Sequence, residues 1–243
     1  MKPGSRFGLR KTSLIDYPGE VAAVFFTAGC NLRCPYCHNP ELVTGHEPSE
    51  FIGFDDALVF LRSRQRLISA IVISGGEPLL HDRVVDLANA ARSLGLLVKL
   101  DTNGSRPDRI AAVGADYVAL DVKLPPRRYH ELGSPPVDIE RSIHAVRAAA
   151  PRYEFRTTYV PGMVNDDDIR SITALMKPGE AYTVTAFRPG KTLDARLDSS
   201  PAPTQEDIER ARAIAMEAGL RVTVRDHRIT YRSTGDRRVR WNS

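Results

Sequence analysis

The sequence predicts an α/β protein, a parallel β-sheet with helices outside it, and three observations carry that expectation. Strand-like and helix-like segments alternate along the 243-residue chain in units of about thirty residues, as in βαβ crossovers. Hydrophobic residues make up 42% of the chain, enough for a sizeable core, which excludes disordered and collagen-like chains. Four of the strand-like runs end directly in polar clusters, where parallel α/β folds and barrels bind their ligands. No repeat or low-complexity linker divides the chain, and Pro125-Pro126 and 199–203 read as ordinary loops. A single domain is expected, either an open doubly wound sheet or a partial barrel.

The elements follow in order. Residues 21–27 are apolar and rich in β-branched and aromatic side chains, which suits a strand. Phe54, Ala57, Leu58 and Leu61 share one face at helical spacing. Residues 70–74 form a second buried strand, followed by a helix over 83–94 that Gly95 terminates. The third and fourth strands cover 96–101 and 115–121, and Ile139, Ile143 and Val146 mark the helix that follows. A fifth strand covers 153–160, a helix 167–176, and a sixth strand 181–187. Thr204 with Asp207 reads as a capping arrangement opening a helix with Ile208, Ala211 and Ala215 on one side, closed by Gly219.

Charge excludes little. Lys plus Arg is 34 and Asp plus Glu 30, and a net charge of +4 is too small to indicate nucleic-acid binding. The stretch 221–243 holds seven arginines against Asp226 and Asp236, and is expected as a basic C-terminal extension to a core at about 15–220. The alternation Arg221-Val222-Thr223-Val224 reads as a solvated edge, with a docking surface for an acidic partner or electron donor as the other reading. No apolar run approaches the roughly 18 residues that span a bilayer, so no membrane is expected. The first twenty residues show no apolar core of a secretory signal, and a cytoplasmic address is expected. Pro189-Gly190-Lys191-Thr192 has the look of a phosphate loop's end, but Thr185 stands where its first glycine belongs, so it reads as an ordinary loop. His46, His81, His130, His144 and His227 share no ligand spacing.

The cysteines are sharper. All three fall within eight residues, Cys30, Cys34 and Cys37, in the spacing C-x3-C-x2-C. An odd number this close together disfavours a disulfide framework. In a reducing compartment such thiols are metal ligands or catalytic groups. The spacing favours an iron–sulfur cluster; a structural zinc site using the three thiolates with His38 or another residue is the alternative. The first strand runs into this loop, the second into Ser74-Gly75-Gly76-Glu77-Pro78, the third into Asp101-Thr102-Asn103-Gly104, and the fourth into Asp121-Val122-Lys123. Each could be a plain turn. Four in phase with a cysteine cluster suggest one shared pocket.

The cysteine loop and the Gly-Gly-Glu-Pro strand end together resemble the radical S-adenosylmethionine (SAM) superfamily. The stretches 36–42, 73–78, 99–104, 121–123 and 154–158, with Ser13-Leu14-Ile15-Asp16-Tyr17-Pro18-Gly19 and Phe187-Arg188-Pro189, resemble the anaerobic ribonucleoside-triphosphate reductase activating proteins, which belong with the glycyl-radical-enzyme activases. The resemblance runs from about residue 7 to 194.

The resemblance implies a partial (β/α)6 TIM-like barrel, splayed on one side, and catalytic Cys30, Cys34 and Cys37 holding three irons of a [4Fe-4S] cluster. SAM would chelate the fourth iron, which explains why three cysteines suffice. One electron, from a flavodoxin or ferredoxin-type donor, would then cleave SAM to methionine and a 5′-deoxyadenosyl radical. That radical would take a hydrogen atom from a glycine of a partner, the anaerobic ribonucleotide reductase. Gly75, Gly76 and Glu77 are expected at the SAM ammonium, Lys123 at its carboxylate, and Tyr36 and Asn39 at the adenine and ribose. Asn103 is expected among the cofactor contacts, and Arg156 and Arg188 at SAM or substrate, or in plain salt bridges. Asp101 and Asp121, carboxylates at adjacent strand ends, would need a compensating cation; a monovalent ion beside Thr102 is the expectation.

Two departures matter. Pyruvate formate-lyase activases carry Asp-Gly-Pro-Gly-x-Arg where this chain has Asp16-Tyr17-Pro18-Gly19-Glu20-Val21, which argues against that target. With no cysteine beyond the triad, additional ferredoxin-like clusters are excluded. The rival readings are a small-molecule radical SAM enzyme of the 7-carboxy-7-deazaguanine synthase kind and a zinc-stabilised or electron-transfer module.

Overall fold

The computed structural model describes residues 6–45, 48–133 and 137–226, and the backbone of 229–232. His46, His227 and the arginine-rich stretch from 233 onwards lie outside the described residues. Two compact units emerge. The first gathers Arg33 and the residues before it, Asn39–Leu120 and Arg141–Tyr153; the second gathers Cys34–His38, Asp121–Glu140 and the chain from Glu154 onwards.

In the first unit, β1 (Arg6–Ser13) runs antiparallel to β2 (Ala22–Thr27), and a short α1 (Pro40–Val43) follows the cysteine loop. Then come β3 (Ile52–Gly53), antiparallel to β1, and α2 (Phe54–Arg64), β4 (Ala70–Gly75), α3 (Arg83–Ser93), β5 (Leu97–Thr102), α4 (Pro107–Val113), β6 (Tyr117–Asp121) and α5 (Ile139–Ala149). The strands β2, β4, β5 and β6 lie side by side and parallel. Val24, Val72, Ala119 and Tyr117 pack on one face around the fully buried Tyr17. On the other face Phe25, Ile71, Ile73, Leu100 and Val118 are equally buried. Burial on both faces is why these strands read as continuous apolar runs instead of alternating ones. Because they are parallel, the ends of β2, β4 and β5 come to one side.

Sequence periodicity missed β1, α1, β3, α4 and a last strand at Ile229–Arg232. β1 carries exposed Arg10, Lys11 and Thr12, the charged dress of a strand near a sheet edge, and offers no apolar run. α4 is only seven residues long, although Pro107 at its start and Gly114 in the left-handed conformation (φ +60°) at its end bracket it in the usual way.

The second unit continues with β7 (Arg152–Tyr159), α6 (Asp166–Thr173), β8 (Ala181–Ala186), α7 (Gln205–Glu217), β9 (Arg221–Asp226) and β10 (Ile229–Arg232). β7, β8 and β9 are parallel, and β10 returns antiparallel to β9. The capping box of Thr204 and Asp207 opens α7 as its sequence predicts, and Asn165 with Asp168 does the same for α6. The expectation of a solvated edge at 221–224 is corrected: β9 is bonded on both sides, and Val222 and Val224 are buried. Buried Glu154 of β7 accepts from Thr183 of β8 (2.8 Å) and Arg225 of β9 (3.1 Å), tying the three strands together through one compensated charge. No helix among the described residues is long and apolar enough to cross a membrane.

Candidate functional site

In the first unit the ends of β2, β4 and β5 are laced to one another. Gly76 N donates to Thr27 O (2.9 Å) and Glu77 N to Gly29 O (2.8 Å). A Cβ on Gly75, whose φ is +120°, would overlap the Thr27 backbone, and one on Gly76 would strike the Gly29 carbonyl. The glycine pair is therefore required by the approach of the strand end to the segment that leads into Cys30. Glu77 is 0% exposed. Its Oε1 accepts from Leu79 N (3.0 Å) and Thr102 Oγ1 (2.7 Å), and its Oε2 from Asn103 N (2.7 Å). The carboxylate thus bolts β4 to β5.

Asn103, held by that bond, sends Nδ2 towards Cys30 Sγ (3.6 Å) and Asn31 Oδ1 (3.2 Å), while Ser105 Oγ donates to the same Asn31 oxygen (3.0 Å). Leu32 N is 3.4 Å from Cys30 Sγ. Two N–H donors on one sulfur suit a thiolate, and such bonds tune iron–sulfur centres. Asn31 and Ser105 escaped the sequence reading, since polar residues in turns carry no signal of their partners. Asn39 stands at the start of α1 with no side-chain cap bond. Both carboxylates for which a compensating cation is expected meet basic side chains of their own unit. Asp101 pairs with Lys99, and Thr102 is committed to Glu77.

In the second unit, Cys37 N donates to Cys34 O (3.0 Å), folding the loop into a turn. No disulfide joins the three cysteines; Cys34 is buried, and Cys30 and Cys37 are partly exposed. Tyr36 is buried, and its hydroxyl has no hydrogen-bond partner among the described residues. Burial, aided by Cys34, pushes its phenol well above the ordinary tyrosine range. Asp121 accepts from Lys123 Nζ (3.1 Å) and Arg156 Nε (2.7 Å), so Arg156 is a salt-bridge residue here. Tyr129, which the sequence did not flag, accepts from Lys123 N through its hydroxyl (2.9 Å). Burial alone would lower the Lys123 ammonium, but Asp121, Cys34 and Tyr36 outweigh it and hold it above the usual lysine range. The segment after β8 grips the same turn: the His38 ring stacks on Phe187 (centroids 5.9 Å), His38 Nδ1 lies 3.2 Å from Lys191 O, and Asp194 N donates to Pro35 O (2.9 Å).

Burial works to raise the Asp121 carboxyl, yet Arg156 and Lys123 drive it far below the ordinary carboxylate range. A depressed acid contributes stability that is complete above its unfolded pKa and fades as pH falls through its folded value. The stability gap between the wild type and Asp121→Asn should therefore be flat from about pH 8 to 5 and shrink only below about pH 4. Urea unfolding at a series of pH values measures it; a gap that closes between pH 7 and 5 would contradict the pairing.

The fold of the chain is α/β with a mostly parallel sheet, and the radical SAM superfamily profile matches residues 24–176, more than half of its length. The chain belongs to the radical SAM superfamily and is a radical SAM enzyme of oxidoreductase type. It is 34% identical over 232 residues, 90% of this chain and 94% of the other, to a protein of Methanocaldococcus jannaschii named "putative glycyl-radical enzyme activating enzyme". It is 27% identical over 210 residues, 83% of this chain and 79% of the other, to 7-carboxy-7-deazaguanine synthase of Halobacterium salinarum. The crystal structure of Streptococcus suis SuiB bound to S-adenosylmethionine is similar with a TM-score of 0.61 at 16% identity. That match covers 81% of this chain and 48% of SuiB, so the chain spans about half of SuiB and the likeness is one of fold.

Proposed function

We propose that this chain is an activase that installs a glycyl radical on a partner enzyme, the anaerobic ribonucleoside-triphosphate reductase, using SAM and a [4Fe-4S] cluster held by Cys30, Cys34 and Cys37. The similarity to the Methanocaldococcus jannaschii protein along nearly the whole of both chains carries this reading. The motifs at 36–42, 99–104 and 154–158 support the choice of reductase. The residues fit the cofactors by chemistry. Three cysteines and no fourth suit a cluster with one iron left for SAM, whereas a closed zinc site wants four ligands.

When bound, the cluster and SAM supply one-electron cleavage of the sulfonium and the radical that removes the glycine hydrogen atom. The chain's own residues orient and shield. Asn103 and Leu32 direct N–H groups at the Cys30 sulfur, and Lys123 presents a charged ammonium suited to a carboxylate. The buried Tyr36 hydroxyl offers a polar group that a ligand would satisfy. The electron would come from a flavodoxin or ferredoxin-type donor.

Anoxic reconstitution with iron and sulfide, followed by SAM, reductant and a candidate reductase, tests the reading. A glycyl radical signal should appear on the reductase, with about one 5′-deoxyadenosine released per radical formed. SAM cleavage with no radical on any anaerobic reductase would favour the second reading, a radical SAM enzyme acting on a small molecule, which the similarity to the Halobacterium salinarum protein supports.

A further inference from the structure

β5 is an apolar strand with a charge in its middle. Between Val98 and Leu100, both fully buried, stands Lys99, only 1% exposed. An ammonium at that depth is very unfavourable unless paired. Two residues on, and so on the same face of the strand, Asp101 receives the hydrogen bond of Lys99 Nζ. The cross-strand partner of Lys99 on β6 is Tyr117, whose ring lies 5.8 Å from Nζ, within reach of a cation–π contact. That ring is set in the apolar cluster of Tyr17, Val24 and Val72. The ammonium is thus seated on a built floor, directly beneath a carboxylate at the carboxyl end of the strand.

We infer that Lys99 is the chain's own compensating cation for Asp101, so that this end of β5 takes no monovalent metal ion as a working part. The surroundings do not fit an ion. A monovalent metal needs several oxygen donors, yet the Thr102 hydroxyl donates to Glu77 and accepts from Gly104 N (3.1 Å). An ammonium, with three donors and no coordination shell to complete, meets the same need with fewer partners. Lys99 acts through Asp101 and is a positioning residue. The inference is independent of which substrate the enzyme attacks.

The full-length reconstituted protein tests it in potassium, sodium and tetramethylammonium chloride at equal ionic strength, which holds screening constant. Wild-type melting temperatures should agree within about 1 °C across the three salts. SAM dissociation constants should agree within about twofold. Lys99→Met should bind SAM about tenfold more weakly than wild type in all three salts, whereas Lys99→Arg should stay near wild type and indifferent to the salt. A wild-type protein that loses about tenfold in SAM affinity when potassium is withdrawn overturns the inference. So does a Lys99→Met protein that binds as tightly as wild type in every salt. If Lys99→Met does not fold, the wild-type series still decides, and its melting arm does so even if SAM binding proves undetectable.

Discussion

Replacing Cys34 by alanine is expected to abolish SAM cleavage. The residue is buried in the turn that Cys37 N closes on Cys34 O, so the substitution removes a sulfur with little effect on the backbone. Under the proposed assignment one iron would lose its only protein ligand. Changes to groups merely behind a ligand cost about 10- to 100-fold in affinity or activity, so loss of the ligand itself should exceed about 100-fold. Two readouts separate the causes. Iron content of the anoxically reconstituted variant should fall well below about four per chain, and 5′-deoxyadenosine formation should vanish with it. Full cleavage activity in Cys34→Ala would remove Cys34 from the cluster and reopen the role of the motif.

Glu77→Gln should produce the largest loss of stability for the smallest change of shape. The native carboxylate accepts hydrogen bonds from Leu79 N, Thr102 Oγ1 and Asn103 N, with no exposure to water. A glutamine has one oxygen where the site needs two. Whichever way its amide turns, an NH2 faces a backbone N–H, either that of Asn103 or that of Leu79. Hydrogen bonds to a charged acceptor contribute about 1.5–3 kcal/mol each, and an orphaned buried donor costs about 1–3 kcal/mol. A loss of about 3 kcal/mol is expected for Gln and about 4 kcal/mol or more for Ala. Urea unfolding of the apoprotein reads it without recourse to the cofactor. A change under about 1 kcal/mol would mean that the β4 and β5 ends are held by something other than Glu77.

The consequences reach the cysteine loop. Asn103 takes its place from the Glu77 bond to its amide, and its side chain then meets Cys30. Glu77, a residue the resemblance assigns to SAM, therefore also positions the Cys30 loop by way of Asn103. Sequence reasoning could not find this, because an acidic residue after two glycines carries no mark of whether it faces a ligand or its own chain.

Much of the fold is legible in the sequence. The β-α alternation follows from apolar runs long enough to be buried on both faces, and the helix ends at Gly95 and Gly219 follow from backbone conformations that suit glycine (φ +76° and +79°). The capping pair Thr204 and Asp207 is a local rule that needs no tertiary partner. The cysteine spacing and the Gly-Gly-Glu run are covalent patterns, and family membership rested on them. What stayed hidden depends on partners distant in sequence. Lys99 and Asp101 are visible as letters two apart, but the Tyr117 ring beneath them lies across a strand pairing. Arg156 reaches Asp121 over 35 positions, and Glu154 joins Thr183 and Arg225 over 29 and 71.

By itself the sequence determined the alternation, the position of the three cysteines and the superfamily, because these are set by local periodicity and by residue type at fixed spacing. The tertiary structure alone decided which charges neutralise each other, since compensation depends on distance in space and on exclusion of water. It thereby turned two carboxylates expected to need an outside cation into pairs with Lys99 and with Lys123 and Arg156.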